Sequence, residues 1–335
     1  MRNALNQSSL LPFSVTTLAE KNSAHVADGL NVLAAIGFAS KARVLDECRP
    51  VFNVGLPLLT GDEYTELWSS LTPVTYGKHA SITWSENGTV LFGHLLLEEA
   101  DFPDLRVASE TAYRHVFELL QVSGYSCLLR MWNYFPAITM QQGELNRYQT
   151  FCLGRQDALD VHGNFAYAPP AATAIGTQQA GLQLYFIAAK QAGMQLENPR
   201  QTSAFLYPRQ YGPVSPAFSR ATVKDWGQGK HVYISGTTSI VGHETLHIGD
   251  PSAQLEETLR NLEALLGHGD ATLGLPIRVV RSLTQLKVYV HDQASLPVIQ
   301  SHLENYLAGS CTAVLYLQGD VCRAELMVEV EGIYA

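Results

Sequence analysis

The sequence is short of the features that would assign it to several common classes. Its five cysteines (Cys48, Cys127, Cys152, Cys311 and Cys322) are odd in number, scattered, and include no CxxC pair. That argues against a disulfide framework or a cysteine zinc knuckle, and it suits a reducing cytoplasm. No apolar run reaches the roughly 18 residues of a membrane span. Behind Arg2 come polar Asn3, Asn6, Gln7, Ser8 and Ser9 in place of a sustained apolar core, so no signal peptide is expected. Basic residues are outnumbered 22 to 31, a net charge of −9, which disfavours nucleic-acid and anionic-membrane partners. A small anionic substrate stays open, because a few arginines in one cleft can set the local field against the global sign.

What is present describes a globular chain. Its 335 residues, 46% hydrophobic and 16% charged, are long for one core and comfortable for two domains. Residues 1–80 carry the least pattern: 30–39 reads as a strand or short helix and 51–59 as an extended apolar segment. From Ser81 the pattern sharpens. Residues 81–84 and 89–97 form a hairpin across Asn87-Gly88. Ser109 then caps a helix with Ala112, Val116, Leu119 and Leu120 on one face, and Gly124 ends it. A strand over 125–134, a helix over 143–152 and two strands within 171–189 complete this part.

A connector rich in proline, tyrosine and arginine follows over 199–219. The second half has a strand at 231–235, continuing past Gly236 into 238–241. Asp250 caps a helix with Pro251 at its first position, Leu255, Leu259, Leu262 and Leu266 on one face, and Gly267 at its end. Leu286, Val288 and Val290 alternate as a strand, 296–307 is a helix, and 312–317 with 322–334 makes a closing hairpin. Both halves thus share one order of hairpin, helix, strand, helix, hairpin, over about 81–190 and 230–335. The expected fold is α+β: two tandem modules, 81–198 and 199–335, each a sheet with two helices on one face, behind an N-terminal extension, 1–80.

The second module resembles the RidA (YjgF) family of small trimeric proteins. The resemblance lies in VYISG (232–236), GDPSAQLEETLRNLEALL (249–266), LKVYVHD (286–292) and VEVEGIYA (328–335). It implies the chorismate mutase-like architecture of that family, with ligand clefts between neighbouring modules. Two modules and an N-terminal addition imply a pseudo-trimer folded from one chain, which is compatible with a monomer.

Two groups of residues compete for the chemistry. HETLH, His243 to His247, fits the HExxH pattern of zinc proteases, which needs both histidines one turn apart on a helix. Gly242 precedes it, and helix signals start only at Asp250, so the motif is expected to line or shape a cleft. The second group is a set of arginines and tyrosines on irregular segments: Arg130–Tyr134, Tyr148–Arg155, Tyr207–Pro213, and Ser219-Arg220. A guanidinium fork matches a carboxylate with two hydrogen bonds and a phenol can add a third, so these suit a carboxylate-bearing small molecule. Against this, most arginines pair with surface acids, and 31 are available.

WNYFPAI (132–138), LNRYQTFCLGR (145–155), YPRQYGPVSPAFSRA (207–221) and the stretch SGTTSIVGHETLHIGDPSAQLEETLRNLEALL resemble the chorismatase family, whose members cleave chorismate and release pyruvate. The resemblance covers about two thirds of the chain and includes HETLH. It implies that Tyr148, Arg155, Tyr207 and Arg220 contact the substrate, that Glu329 is the acid, and that no cofactor or metal is needed. Glu331 is expected to face the other side of its strand. Cys322 stands where the hydroxybenzoate-forming members carry cysteine, although seven residues before Glu329 is the wrong parity for one strand face. Thr238 stands where the family has a smaller residue. The expected activity is cleavage of chorismate to hydroxybenzoate, mainly the 3-isomer with 4-hydroxybenzoate possible in addition, plus pyruvate. A diol-forming chorismate hydrolase, a RidA-like enamine or imine deaminase and a non-catalytic binding module remain alternatives.

Overall fold

The protein, seen here as a computed structural model, is described over residues 11–18, 31–61, 64–162, 169–179 and 181–335. The polar N-terminus read above lies outside these residues. Three sheets converge on one core. The first holds β1 (Ser14–Leu18), β2 (Val32–Phe38), β3 (Arg43–Asp46), β4 (Val51–Val54) and β5 (Thr65–Ser69), in the order β1-β5-β2-β4-β3. So the stretch read as a strand or short helix holds a strand, over Val32–Phe38. Every residue of β2 is buried, which removes the alternation that would have marked it in sequence.

The second sheet holds β6 (Thr75–His79), β7 (Ile82–Glu86), β8 (Val90–Leu97) and β9 (Cys127–Pro136). After the small ladder of β10 (Gln141–Gln142) with β11 (Leu145–Asn146), it adds β12 (Ala171–Thr177) and β13 (Leu182–Ala189). Helix α1 (Leu105–Ser123) stands between β8 and β9, and α2 (Arg147–Val161) before β12. The third sheet holds β14 (Met194–Leu196), β15 (Ala221–Asp225) and β16 (Lys230–Thr237). Past the ladder of β17 (Ile240–Val241) with β18 (Glu244–Thr245) it adds β19 (Gln285–Val290), β20 (Ala313–Gln318) and β21 (Val328–Tyr334). Its helices are α3 (Pro251–Leu273) and α4 (Leu296–Tyr306).

The sheet orders, β12-β9-β13-β8-β7-β6 and β14-β15-β16-β21-β19-β20, show where the sequence reading fails. Neither module closes on a hairpin. β20 runs parallel to β19, β21 enters between β16 and β19, and β12, β9 and β13 repeat the pattern. Strands consecutive in sequence are separated because a parallel neighbour needs a crossover, here α4 or α2, and the last strand fills the space left beside it. The first sheet has the same core: β2 is parallel to β4 and antiparallel to β5, which pairs with β1.

Helix ends follow capping chemistry. The Asp104 side chain accepts from Val107 N–H and starts α1, five residues ahead of the expected Ser109, which is buried and donates its hydroxyl to Leu105 O. Gly124 ends α1 in the left-handed region, at φ 76°. α2 begins at a capping box of Asn146 with Gln149 and runs to Val161, later at both ends than 143–152. α3 starts at Asp250 and Pro251 as expected. It passes through Gly267, where an added Cβ would touch nothing, and ends at Gly274. Leu255, Leu259, Leu262 and Leu266 are buried beneath it, each contributing about 1.5–3 kcal/mol. α1 and α2 cover the outer face of the second sheet, and α3 and α4 that of the third. The inner faces meet in a core with Phe52, Trp68, Trp132, Tyr185 and Tyr289 from all three.

Candidate active site

The edge of the second sheet docks along the third. Ala171 N–H donates to Thr222 Oγ1 and Ala172 N–H to Ser235 Oγ, both at 2.8 Å. Gly236 N–H donates to Thr173 Oγ1 at 3.0 Å. Above this seam lies a cleft of about 330 Å³, floored by β12 and β21 and walled by α2, the 199–219 connector and the β20–β21 loop. Tyr148, Arg155, Tyr207, Arg220, Thr238, Cys322 and Glu329 all line it. Tyr148 and Arg155 are two helical turns apart on one side of α2, Tyr207 comes from the connector and Arg220 immediately precedes β15.

Glu329 is 4% exposed, and its carboxyl has no hydrogen-bond partner among the described residues. Burial raises its pKa, neighbouring Glu331 adds to this, and Arg130 and Arg220 oppose it, leaving the carboxyl at about 8. It is therefore an acid that keeps its proton at neutral pH. β16 supplies the room, since a Cβ on Gly236 would stand 1.8 Å from Glu329 Oε1. Register slips on β16 between Ile234 and Thr237, and that irregularity brings Gly236 beneath the carboxyl.

Glu331 does not turn away. A strand alternates every residue, so residues two apart share a face, and the expected separation of the two glutamates is wrong on that ground. Glu331 differs from Glu329 in its partners. Burial would raise it, but Arg130 and Lys287, with Thr173 and the Trp132 indole, hold it below the usual carboxylate range. Cys322 reaches the cleft from the loop ahead of β21, so strand parity does not apply to it. Burial and nearby Glu329 push its thiol up to about 12, which leaves it a neutral S–H.

Three arginines, Arg155, Arg220 and Arg323, line the space. Arg220 Nη2 donates to Thr202 O and to the Tyr207 hydroxyl, each at 2.8 Å, while its buried Nε has no hydrogen-bond partner among the described residues. Arg155 is 4% exposed, donates to Cys152 Sγ at 3.5 Å and lies over the Phe151 ring. Burial keeps the Tyr148 phenol protonated. HETLH is no helix: Glu244 and Thr245 form β18, and His247 is left-handed at φ 58°. His243 Nδ1 lies 3.2 Å from the Tyr211 hydroxyl and His247 Nε2 3.4 Å from Glu257, so the imidazoles have different partners.

The chain matches the family profile described as chorismatase FkbO/Hyg5-like, N-terminal, over residues 66–188. It is 32% identical over 342 residues to a 3-hydroxybenzoate synthase of Streptomyces hygroscopicus, covering 98% of this chain and 99% of that one. A chorismatase of Streptomyces rapamycinicus is 35% identical over 289 residues, covering 82% and 83% of the two chains. A chorismatase crystal structure at 1.08 Å superposes with a TM-score of 0.87 at 31% identity, over 96% of this chain and 98% of that one. The chain belongs to the chorismatase family.

Within this chorismatase fold the arginine-rich segments divide. Arg155 and Arg220 enter the cleft, Arg209 is exposed, and Arg130 goes into the core to pair with Glu331 at 2.7 Å. Sequence reasoning missed Arg323. Its guanidinium lies 3.9 Å from the Tyr211 ring centroid and donates through Nη1 to His243 O at 2.9 Å and Thr245 Oγ1 at 3.1 Å. It thereby ties the HETLH loop and the connector to the loop carrying Cys322; its place beside Cys322 was the available signal. Asn133, inside the Arg130–Tyr134 segment but not singled out there, also lines the cleft, held by the Tyr113 hydroxyl at 2.8 Å. No described helix is long and apolar enough to cross a membrane.

Proposed function

We propose that this chorismatase cleaves chorismate to pyruvate and hydroxybenzoate, mainly the 3-isomer, with Glu329 as the acid. The observation that carries the reading is a buried carboxyl, still protonated near neutral pH, facing a cleft lined by three arginines, Arg155, Arg220 and Arg323. An enolpyruvyl ether is inert until its terminal methylene carbon is protonated, and the acid must hold its proton at working pH to do this. Transfer from Glu329 forms the new C–H bond and leaves an oxocarbenium centre. The ring C–O bond then breaks with its electron pair on oxygen, which becomes the pyruvate carbonyl. Loss of the C4 proton gives 4-hydroxybenzoate. Transfer of the C4 oxygen to C3 and loss of the C3 proton gives the 3-isomer. Either proton can return to Glu329, so atoms balance without water.

Chorismate has two carboxylates, and Arg155 and Arg220 are the matching cations, with Tyr148 and Tyr207 as neutral donors. On this reading the neutral Cys322 thiol shields the ring from water, which favours the aromatic product; the name of the Streptomyces hygroscopicus relative supports the same product. Thr238 narrows the cleft near the end of β16. For the whole chain we propose boundaries near 80 and 198, with β6 and β14 lying just before them although each belongs to the sheet that follows, a monomeric pseudo-trimer and a cytoplasmic location.

The test is to incubate the protein with chorismate, assay pyruvate and separate aromatic from diol products by chromatography. Pyruvate with 3-hydroxybenzoate is expected, and Glu329→Gln should bind chorismate without turning it over. Absence of pyruvate release would sink the enzyme reading, leaving a binding module; ammonia release from an enamine would favour a deaminase.

A further inference from the structure

Behind the cleft, where the three sheets meet, four charged side chains are buried together. Arg130 of β9, Lys287 of β19, Glu66 of β5 and Glu331 of β21 are each no more than 1% exposed. Lys287 Nζ lies 2.9 Å from Glu66 Oε2 and 3.4 Å from Glu331 Oε1, and Arg130 Nη2 lies 2.7 Å from Glu331 Oε2. The Trp68 indole donates to Glu66 and the Trp132 indole to Glu331, both at 2.7 Å, and Lys287 donates to the Tyr185 hydroxyl at 3.1 Å. Two cations balance two anions. Burying such a set costs several kcal/mol per ion before pairing offsets it, and apolar side chains of similar size would do as well for stability.

The quartet reaches the acid at one end. Glu329 is faced by Glu331 on its own strand, Tyr289 across the ladder on β19, and Arg130 on β9. Arg220 ahead of β15, Tyr148 of α2 and Cys322 of the β20–β21 loop complete its surroundings. Tyr148 and Cys322 are neutral, so Glu331 is the anion of this group and the two arginines are its cations. A charged Glu331 favours a proton on Glu329, and Arg130 and Arg220 disfavour it. Lys287 stands behind Glu331 as a further cation, and uncompensated it would weaken the effect of Glu331 at the acid. Glu66 is what compensates it.

We propose that Glu66, in the N-terminal sheet, is a positioning residue for the active site: by neutralising Lys287 it lets charged Glu331 keep the proton on Glu329. This rests on the reading of Glu329 as the acid. The N-terminal sheet lines no part of the cleft, yet on this account it sets the pH range over which the cleft works.

The experiment is the pH dependence of kcat for pyruvate release by the full chain. The wild-type rate should fall as pH rises through about 8, where Glu329 loses its proton. Glu66→Gln leaves the quartet with one excess positive charge and should move that limb down by about one pH unit, the size of one charge acting across a site of effective dielectric ~20. Lys287→Met should move it up, and the double variant should return it to the wild-type position. A limb that stays put in a folded Glu66→Gln protein overturns the proposal. If that variant does not fold, a Lys287→Met limb no higher than that of the double variant overturns it. Failure of the underlying reading looks different: Glu329→Gln would then still release pyruvate, whatever Glu66→Gln does.

Discussion

Glu329 occupies space that only a glycine at position 236 leaves open, with the carboxyl oxygen 1.8 Å from where a Cβ would stand. The acid and the backbone beneath it are thus one unit, although nearly a hundred residues separate them.

Gly236→Ala should therefore act on chemistry. The methyl group forces Glu329 out of position while the N–H of residue 236 can still donate to Thr173. A misplacement of about 1 Å at a reacting group costs on the order of 100-fold. Pyruvate release should fall by at least that factor with chorismate affinity largely kept. An alanine variant with wild-type kcat would show that the acid is not held in this place.

The proton on Glu329 should carry a stability cost. Its folded pKa is raised, from 4.5 to about 8. The stability this group confers is fully present below the unfolded value and drains at about 1.4 kcal/mol per pH unit as pH rises toward the folded value. Glu329→Gln escapes the drain. Its melting temperature should match the wild type at pH 5 and exceed it clearly at pH 8. Equal shifts at both pH values would mean that the carboxyl is ionised in the folded protein.

Cys322→Ala removes the neutral thiol and opens the cleft near the ring. Water can then add to the oxocarbenium centre, and collapse of that adduct leaves both ring oxygens in place. Chromatography should show the product moving from hydroxybenzoate toward the dihydroxycyclohexadienoate. An unchanged mixture would remove Cys322 from product choice.

The HETLH stretch predicts an insensitivity. Its histidines have separate partners, and no described cluster of His, Cys, Asp or Glu could hold a metal ion. Dialysis against a chelator should leave the rate unchanged, and His247→Gln should alter kcat by no more than about twofold, as for substitutions away from a core or site. Loss of activity restored by added zinc would reverse that view.

Much of this was legible in the sequence where a local signal existed. Asp250-Pro251 marked the start of α3, Asn87-Gly88 the β7–β8 turn, and Gly124 the end of α1. What depends on distant partners was not. The final strand reads as half of a hairpin, because nothing within it says that it enters between β16 and β19. Glu329 came from the family resemblance alone; by itself it is one more strand glutamate, and only burial beside Gly236 and Glu331 raises its carboxyl far enough to hold a proton near neutral pH. Arg130 read as a candidate for the substrate and proved to be a partner for Glu331, since sequence does not say which sheet face meets a neighbouring sheet. The first sheet was hidden because its strands are short and β2 is buried on both faces.

Joining three modules in one chain has a consequence for how a site can be built. Gln183 faces Tyr134 across its ladder as Glu329 faces Tyr289. At Gln183, however, the space is taken: it donates to Asn53 O at 3.0 Å, beside a His94 ring stacked on Phe52. In a ring of three identical chains, every change to the acid position would appear three times, and every seam would have to be both cleft and joint. A covalent ring of unequal parts escapes that rule. One seam can be optimised for reaction while another is filled for strength, and a substitution at either leaves the other free to differ.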